Sequence, residues 1–220
     1  MKKPRPETGN RAQELLSEYR KRGDEIRARL EDFRARQRGS DLELFSELCF
    51  CLFTPQSKAL ACDRAVRELK RSGALRLGEK REVASKMHGV RFKNQKAGFL
   101  IEARRRFLSP GRGLKNKIRE PVQNREMREW LVKNVKGLGY KEASHFLRNV
   151  GMGENLAILD RHILKNLLLC GVVDEIPRSL TRKRYLEIEK KMLDFSQEIG
   201  IPMEELDLLF WSRETGKVFK

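Results

Sequence analysis

The chain has 220 residues, 39% hydrophobic and 36% charged, with 48 Lys and Arg against 31 Asp and Glu and a formal net charge of +17. Such a chain can bury a sizeable core as one large domain or two small ones, and its field favours a polyanion such as nucleic acid or an anionic membrane surface. No apolar run approaches the ~18 residues of a membrane span, and the basic start MKKPRPETGN lacks the apolar centre of a signal peptide, so it reads as a flexible tail on an intracellular chain.

Nearly every segment reads helical. Residues 11–38 carry Leu15, Leu16, Tyr19, Ile26, Leu30 and Phe33 near helical spacing, with Gly23 as a point of interruption. Asp41 is placed to cap the next helix, which runs to Phe53. Thr54 and Pro55 read as the start of a third helix that stops at Gly73. Further helices are expected over 94–108, before Pro110 and Gly111, and over 124–135, with Asn124 as cap. Then come a Gly-Leu-Gly hairpin, a helix from Tyr140 to Val150, and the loop GMGENLAI. Asp160 can cap a helix over 161–171, and two more follow over 181–200 and 202–216. Alternating strands and internal repeats are absent, so the expected class is all-α with about ten helices. Cys49, Cys51, Cys62 and Cys170 form no CxxC pair and have no His-rich set nearby, so they read as thiols buried in helices rather than metal ligands.

The stretch LVKNVKGLGYKEASHFLRNVG concentrates the chemistry. Gly137 and Gly139 allow close approach of another chain, and a short Gly-x-Gly link leaves N–H groups open at the start of the following helix, where the dipole favours a phosphate. Leu138 between them can point back and lock the two helices together. Alone this is a tight helix–helix turn; with helices on both sides and the positive charge it becomes a phosphate clamp. Lys141 lies in the first turn of the second helix, where the dipole disfavours a cation; that suits an amine required to attack without its proton. Asp160 caps a helix and offers a fixed carboxylate that could stabilise positive charge developing on a sugar.

VKGLGYKEASHFLRNVG followed by the aspartate of ILDRHIL resembles the helix–hairpin–helix, Gly/Pro-rich loop and aspartate of the HhH-GPD DNA glycosylase superfamily. Within it the chain is most similar to the archaeal-type and bacterial 8-oxoguanine DNA glycosylase/AP lyases. LCFCLFTPQSKAL resembles the helix whose end enters the minor groove, GVRFKNQKAGFLIEA the segment facing the orphaned base, and LDLLFWSRETGKVFK the family's C-terminus at the base pocket. The resemblance covers most of residues 45–220. It implies two helical subdomains with the active site in the cleft: residues 1–54 packing with 158–220, and 55–157 carrying the hairpin at about 130–150.

For function, the resemblance implies Lys141 as nucleophile and Asp160 as support for the transition state, with Gly137, Leu138 and Gly139 on the DNA backbone. It implies Gln56, with Ser57 beside it, as the filler of the gap left by a flipped base; the bland reading of both is first-turn helix residues. Arg91 and Phe92 would face the estranged base. Asp207 and Trp211, sharing one helix face, and Lys220, by its charge or terminal carboxylate, would line the lesion pocket. His145 and His162 read as packing or capping residues and His88 as a loop residue. The iron–sulfur cysteine loop of endonuclease III relatives is absent, so no cluster or organic cofactor is expected; a monovalent cation in the hairpin is the one ion left room for. The expected partner is double-stranded DNA containing 8-oxoguanine, met by a monomer without membrane attachment in a prokaryotic cytoplasm, at the nucleoid. Two rivals stay open: the same chemistry on another oxidised base, and a hairpin module that only binds DNA.

Overall fold

In the computed structural model, which describes residues 8–109 and 113–219, the chain folds as twelve helices, with no strand among those residues. None of these helices is long and apolar enough to cross a membrane. The chain divides into two compact units: the part up to Asp32 together with the part from Gly153 on, and residues 33–152. The divisions fall earlier than the expected 54 and 157, the first of them inside a helix.

That helix, α1 (Thr8–Arg36), runs through Gly23 without a break. In the unit holding both chain ends it is joined by α10 (Arg161–Leu169), α11 (Arg182–Ile199) and α12 (Met203–Thr215). Leu15, Ile26 and Leu30 of α1 are buried, as are Leu206, Leu208, Leu209 and Phe210 of α12. Glu205 accepts from Tyr19 Oη at 2.5 Å, and Arg213 Nε lies 3.0 Å from Glu18 Oε2, so α12 is tied to α1 on two turns. Thr181 caps α11 by accepting from Arg184 N.

The other unit is built on α2 (Asp41–Phe53), every residue of which from Leu44 to Phe53 is buried. A helix buried on all sides belongs at a core centre, each full apolar side chain contributing about 1.5–3 kcal/mol. Packed on it are α3 (Ala59–Arg71), α6 (Lys93–Phe107), α7 (Leu114–Ile118) and α9 (Tyr140–Asn149); α4 (Ala74–Leu77) and α5 (Lys80–Ser85) lie between α3 and α6 in the chain, and α8 (Asn124–Asn134) packs on α9. Three expected caps need correction. Ser40, not Asp41, caps α2: it accepts from Glu43 N while Glu43 accepts from Ser40 N, a capping box that also holds the Glu43 carboxyl below its usual range. Asp41 is freed to accept from Lys115 N at 2.7 Å, anchoring α7. Gln123 stands at the N-cap of α8, with Asn124 its first helical residue. The third helix does not start at Thr54 and Pro55: Thr54 ends α2, Lys58 precedes α3, and a turn separates them.

Candidate active site

The hairpin lies in the 33–152 unit. Leu138 is 4% exposed and its N–H donates to Val135 O, so the link is pinned to the end of α8. Gly137 has φ +86°, and a Cβ there would stand 2.3 Å from Phe99 Cδ2, so both backbone and packing demand glycine. Gly139 differs: its φ is −90°, and a Cβ would meet only the end of Glu142 at 3.0 Å. As N-cap of α9 it brings no side-chain cap to the first turn, the end of a helix where the dipole favours an anion. Lys141 sits two residues on, half-buried, with Nζ 2.9 Å from Glu142 Oε1.

The turn after α2 carries the second feature. Ser57 N donates to Thr54 O at 2.9 Å, closing a β-turn with Pro55 and Gln56 at its centre. Gln56 has φ +55°, which with Pro55 ahead of it defines a type II turn with glutamine where glycine is usual. The reading of Gln56 and Ser57 as first-turn helix residues is therefore overturned. Phe92, N-cap of α6, is also left-handed, at φ 56° and ψ 35°, and stands 53% exposed beneath the Arg91 guanidinium, 5.4 Å from its ring centre. Left-handed backbone is uncommon outside glycine and costs about 1–3 kcal/mol. Here the two such residues among the described residues of this unit border one depression of about 270 Å³, which Leu52, Pro55, Lys96, Phe99 and Gly137 also line. The turn, the Phe92 loop and the hairpin thus meet in one place.

In the other unit, Asp160 is the N-cap of α10, its Oδ1 accepting from His162 N at 2.8 Å and Ile163 N at 2.9 Å. The strand of chain leading to it is clamped: Ala157 N donates to Glu189 at 2.9 Å, Tyr185 Oη donates to Ala157 O at 2.5 Å, and Leu159 N donates to Tyr185 Oη at 3.4 Å. Asp207 is 4% exposed, and Trp211, one turn further on α12, is half-buried against Phe219 at 6.1 Å between ring centres. Lys220 lies outside the described residues. His145 packs edge-on against Phe50 at 5.5 Å, His162 Nδ1 stands 3.7 Å from Glu214, and His88 is exposed in a loop.

All four cysteines are buried and none is in a disulfide, and burial pushes the Cys62 thiol up to about 11. Among the described residues no group of three or more His, Cys, Asp and Glu is arranged around a common point for a metal ion.

Four residues beside these features went unremarked in the sequence. Glu142 pairs with Lys141. Tyr185 and Glu189 hold the approach to Asp160. Lys96 is 4% exposed and donates to Phe53 O and Pro55 O at 2.7 Å and to Ser57 Oγ at 3.1 Å. A signal for Lys96 existed: with Leu100, Ala103 and Phe107 it forms a helical stripe whose other members are all apolar. Glu189 breaks the buried stripe of Tyr185, Ile188 and Met192 in the same way.

Comparison with known proteins gives a consistent picture. A family model described as 8-oxoguanine DNA glycosylase, of helix–hairpin–helix type, matches residues 26–201. The 8-oxoguanine DNA glycosylase/AP lyase of Fusobacterium nucleatum is 44% identical over 209 residues, spanning 94% of this chain and 96% of that one. The protein of the same name from Korarchaeum cryptofilum is 47% identical over 197 residues, 89% and 90% of the two chains. The crystal structure of the 8-oxoguanine DNA glycosylase of Thermotoga maritima matches with a TM-score of 0.86 at 33% identity, over 97% of this chain and all of that one, 100%. The Methanocaldococcus jannaschii 8-oxoguanine glycosylase/lyase, solved in complex with a 15mer DNA containing 8-oxoguanine, matches with a TM-score of 0.82 at 36% identity, over 94% and 99%.

Proposed function

Because the chain belongs to the 8-oxoguanine DNA glycosylase family of helix–hairpin–helix proteins, we propose that it is a bifunctional glycosylase and AP lyase acting on 8-oxoguanine in double-stranded DNA. The damaged nucleotide is flipped out of the stack at a cost of a few kcal/mol. Gln56 offsets part of that cost by filling the gap, and Phe92 stacks on the base left behind, with Arg91 beside it. The Lys141 amine attacks C1′ and the glycosidic bond breaks, releasing the base and its electron pair. Loss of the amine proton and opening of the sugar give a Schiff base on Nζ. Removal of a C2′ proton then expels the 3′ phosphate by β-elimination and cuts the strand. Asp160 stabilises positive charge on the sugar while C1′ is between bonds. The N-terminal turn of α9, with Gly137, Leu138 and Gly139, holds the backbone phosphate; a monovalent cation in the hairpin would serve the same end. Trp211 stacks on the flipped base and Asp207 and the chain end read its edge.

The observation that supports this most directly is the placing of Lys141: an amine in the first turn of α9, which has no side-chain cap, two residues past the hairpin, in a chain of this family. The protein acts as a monomer and, by this reading, works at the nucleoid in the cytoplasm without an organic cofactor. Borohydride trapping on a panel of duplexes tests it. A covalent adduct and base release with 8-oxoguanine, and neither with undamaged DNA, is the expected result. Adducts only on an oxidised pyrimidine would reassign the lesion, and none on any duplex would leave a DNA-binding module.

A further inference from the structure

Lys96 is chemically out of place. A side chain 4% exposed on the apolar stripe of α6 carries an ammonium group, and burial, followed by the like charge of Lys141, lowers its pKa. Nothing in the proposed reaction uses it. Its three donors nevertheless have three acceptors: Phe53 O, Pro55 O and Ser57 Oγ. Phe53 O belongs to the last turn of α2, and Pro55 and Ser57 stand on either side of Gln56. The contacts therefore straddle the one residue of the turn whose backbone is left-handed. Ser57 Oγ also accepts from Arg91 N at 3.0 Å, which ties the Phe92 loop to the same nitrogen through one hydroxyl. An apolar side chain here would fill the volume and leave three polar groups at the base of an exposed turn without this partner.

Resting on the glycosylase reading, we propose that Lys96 is a positioning residue for gap filling, an ammonium staple that holds the Gln56 turn and the Arg91–Phe92 loop side by side before DNA arrives. A filler inserted into a base stack gains only what it does not lose in being ordered. With both loops fastened to one buried point, that ordering is complete in the free protein. Lys96 touches no reacting atom in this role.

Two measurements on Lys96→Met, which keeps an unbranched apolar stem and removes the donors, test it. In the free protein, amide exchange at Ser57 and Arg91 should quicken about tenfold or more while α8 and α9 keep their protection. In single-turnover assays, release of 8-oxoguanine opposite cytosine should fall about tenfold or more, and under about threefold when the lesion faces an abasic analogue, where no pair is opened and no partner base must be held apart. Ser57→Ala, a smaller change that cuts the link to Arg91, should show the same pattern in weaker form and serves if Lys96→Met does not fold. Unchanged exchange in both variants means there is no staple. Quickened exchange with equal loss on both duplexes, or with no loss on either, means the staple is not used for gap filling. A wild-type protein that releases no base from either duplex counts against the glycosylase reading and the purpose given to the staple, while exchange still decides whether the staple exists.

Discussion

Lys141 Nζ and Glu142 Oε1 are 2.9 Å apart, so the amine proposed as nucleophile is one half of an ion pair, with a carboxylate within reach of its proton. Lys141→Gln keeps a polar side chain, one atom shorter, and removes the amine. Base release and borohydride trapping should both vanish, while affinity for lesion DNA stays within about threefold of wild type, as for a group used only in the chemical step. Trapping that survives would give the role to another amine. Asp160 holds two backbone N–H groups through one oxygen, Oδ1, and the role proposed for it needs its charge as well. Asparagine is nearly as good an N-cap as aspartate. Asp160→Asn should therefore melt close to wild type yet lose roughly 10²–10³-fold in single-turnover rate. A normal rate would reduce Asp160 to a cap.

At the scale of elements, what was legible in the sequence was local. Gly-Leu-Gly before a helix, and Asp160 ahead of an apolar run, announce themselves within four residues, and the structure has both a tight hairpin and a capped α10. The long helices were visible through their apolar period, whereas α4, α5 and α7, four to six residues each, are too short to display one. The Thr54–Pro55 misreading has a physical cause: proline suits the first turn of a helix and the second position of a type II turn equally well. What accompanies the turn here is Lys96, 41 residues away from Pro55 in sequence, bonding to backbone oxygens that leave no trace in composition. The two hairpin glycines, alike in sequence, separate in the structure. Gly137→Ala should destabilise by about 2–4 kcal/mol through its positive φ and the Phe99 ring. Gly139→Val should melt near wild type and still weaken binding to any duplex, damaged or not, by crowding the phosphate. Undamaged-duplex affinity equal to wild type at fixed salt would count against the clamp. At the other end, Phe219 packs on Trp211. Removing Phe219 and Lys220 should reduce the preference for 8-oxoguanine over guanine more than it reduces general affinity, and trapping on a pre-formed abasic site should persist; unchanged selectivity would remove the tail from the base pocket.

For the whole molecule the governing quantity is the net charge of +17. A field of that size does not choose a lesion; it concentrates the protein on any duplex and displaces counterions from the phosphates it covers. Lys136 offers a test of this: it precedes Gly137, its side chain is 64% exposed, and it stands 3.4 Å from Glu102. If about six phosphates are neutralised, affinity for undamaged duplex should fall roughly 10³-fold between about 50 and 200 mM salt, while the single-turnover rate of the saturated complex barely changes. Lys136→Ala should reduce the slope of log affinity against log salt by about one. Lys141→Gln, if that amine serves the reaction and not the phosphate, should leave the slope where it was. Equal slopes for wild type and Lys136→Ala would take the segment entering the hairpin away from the DNA backbone, and a slope reduced by Lys141→Gln would make that lysine a phosphate contact.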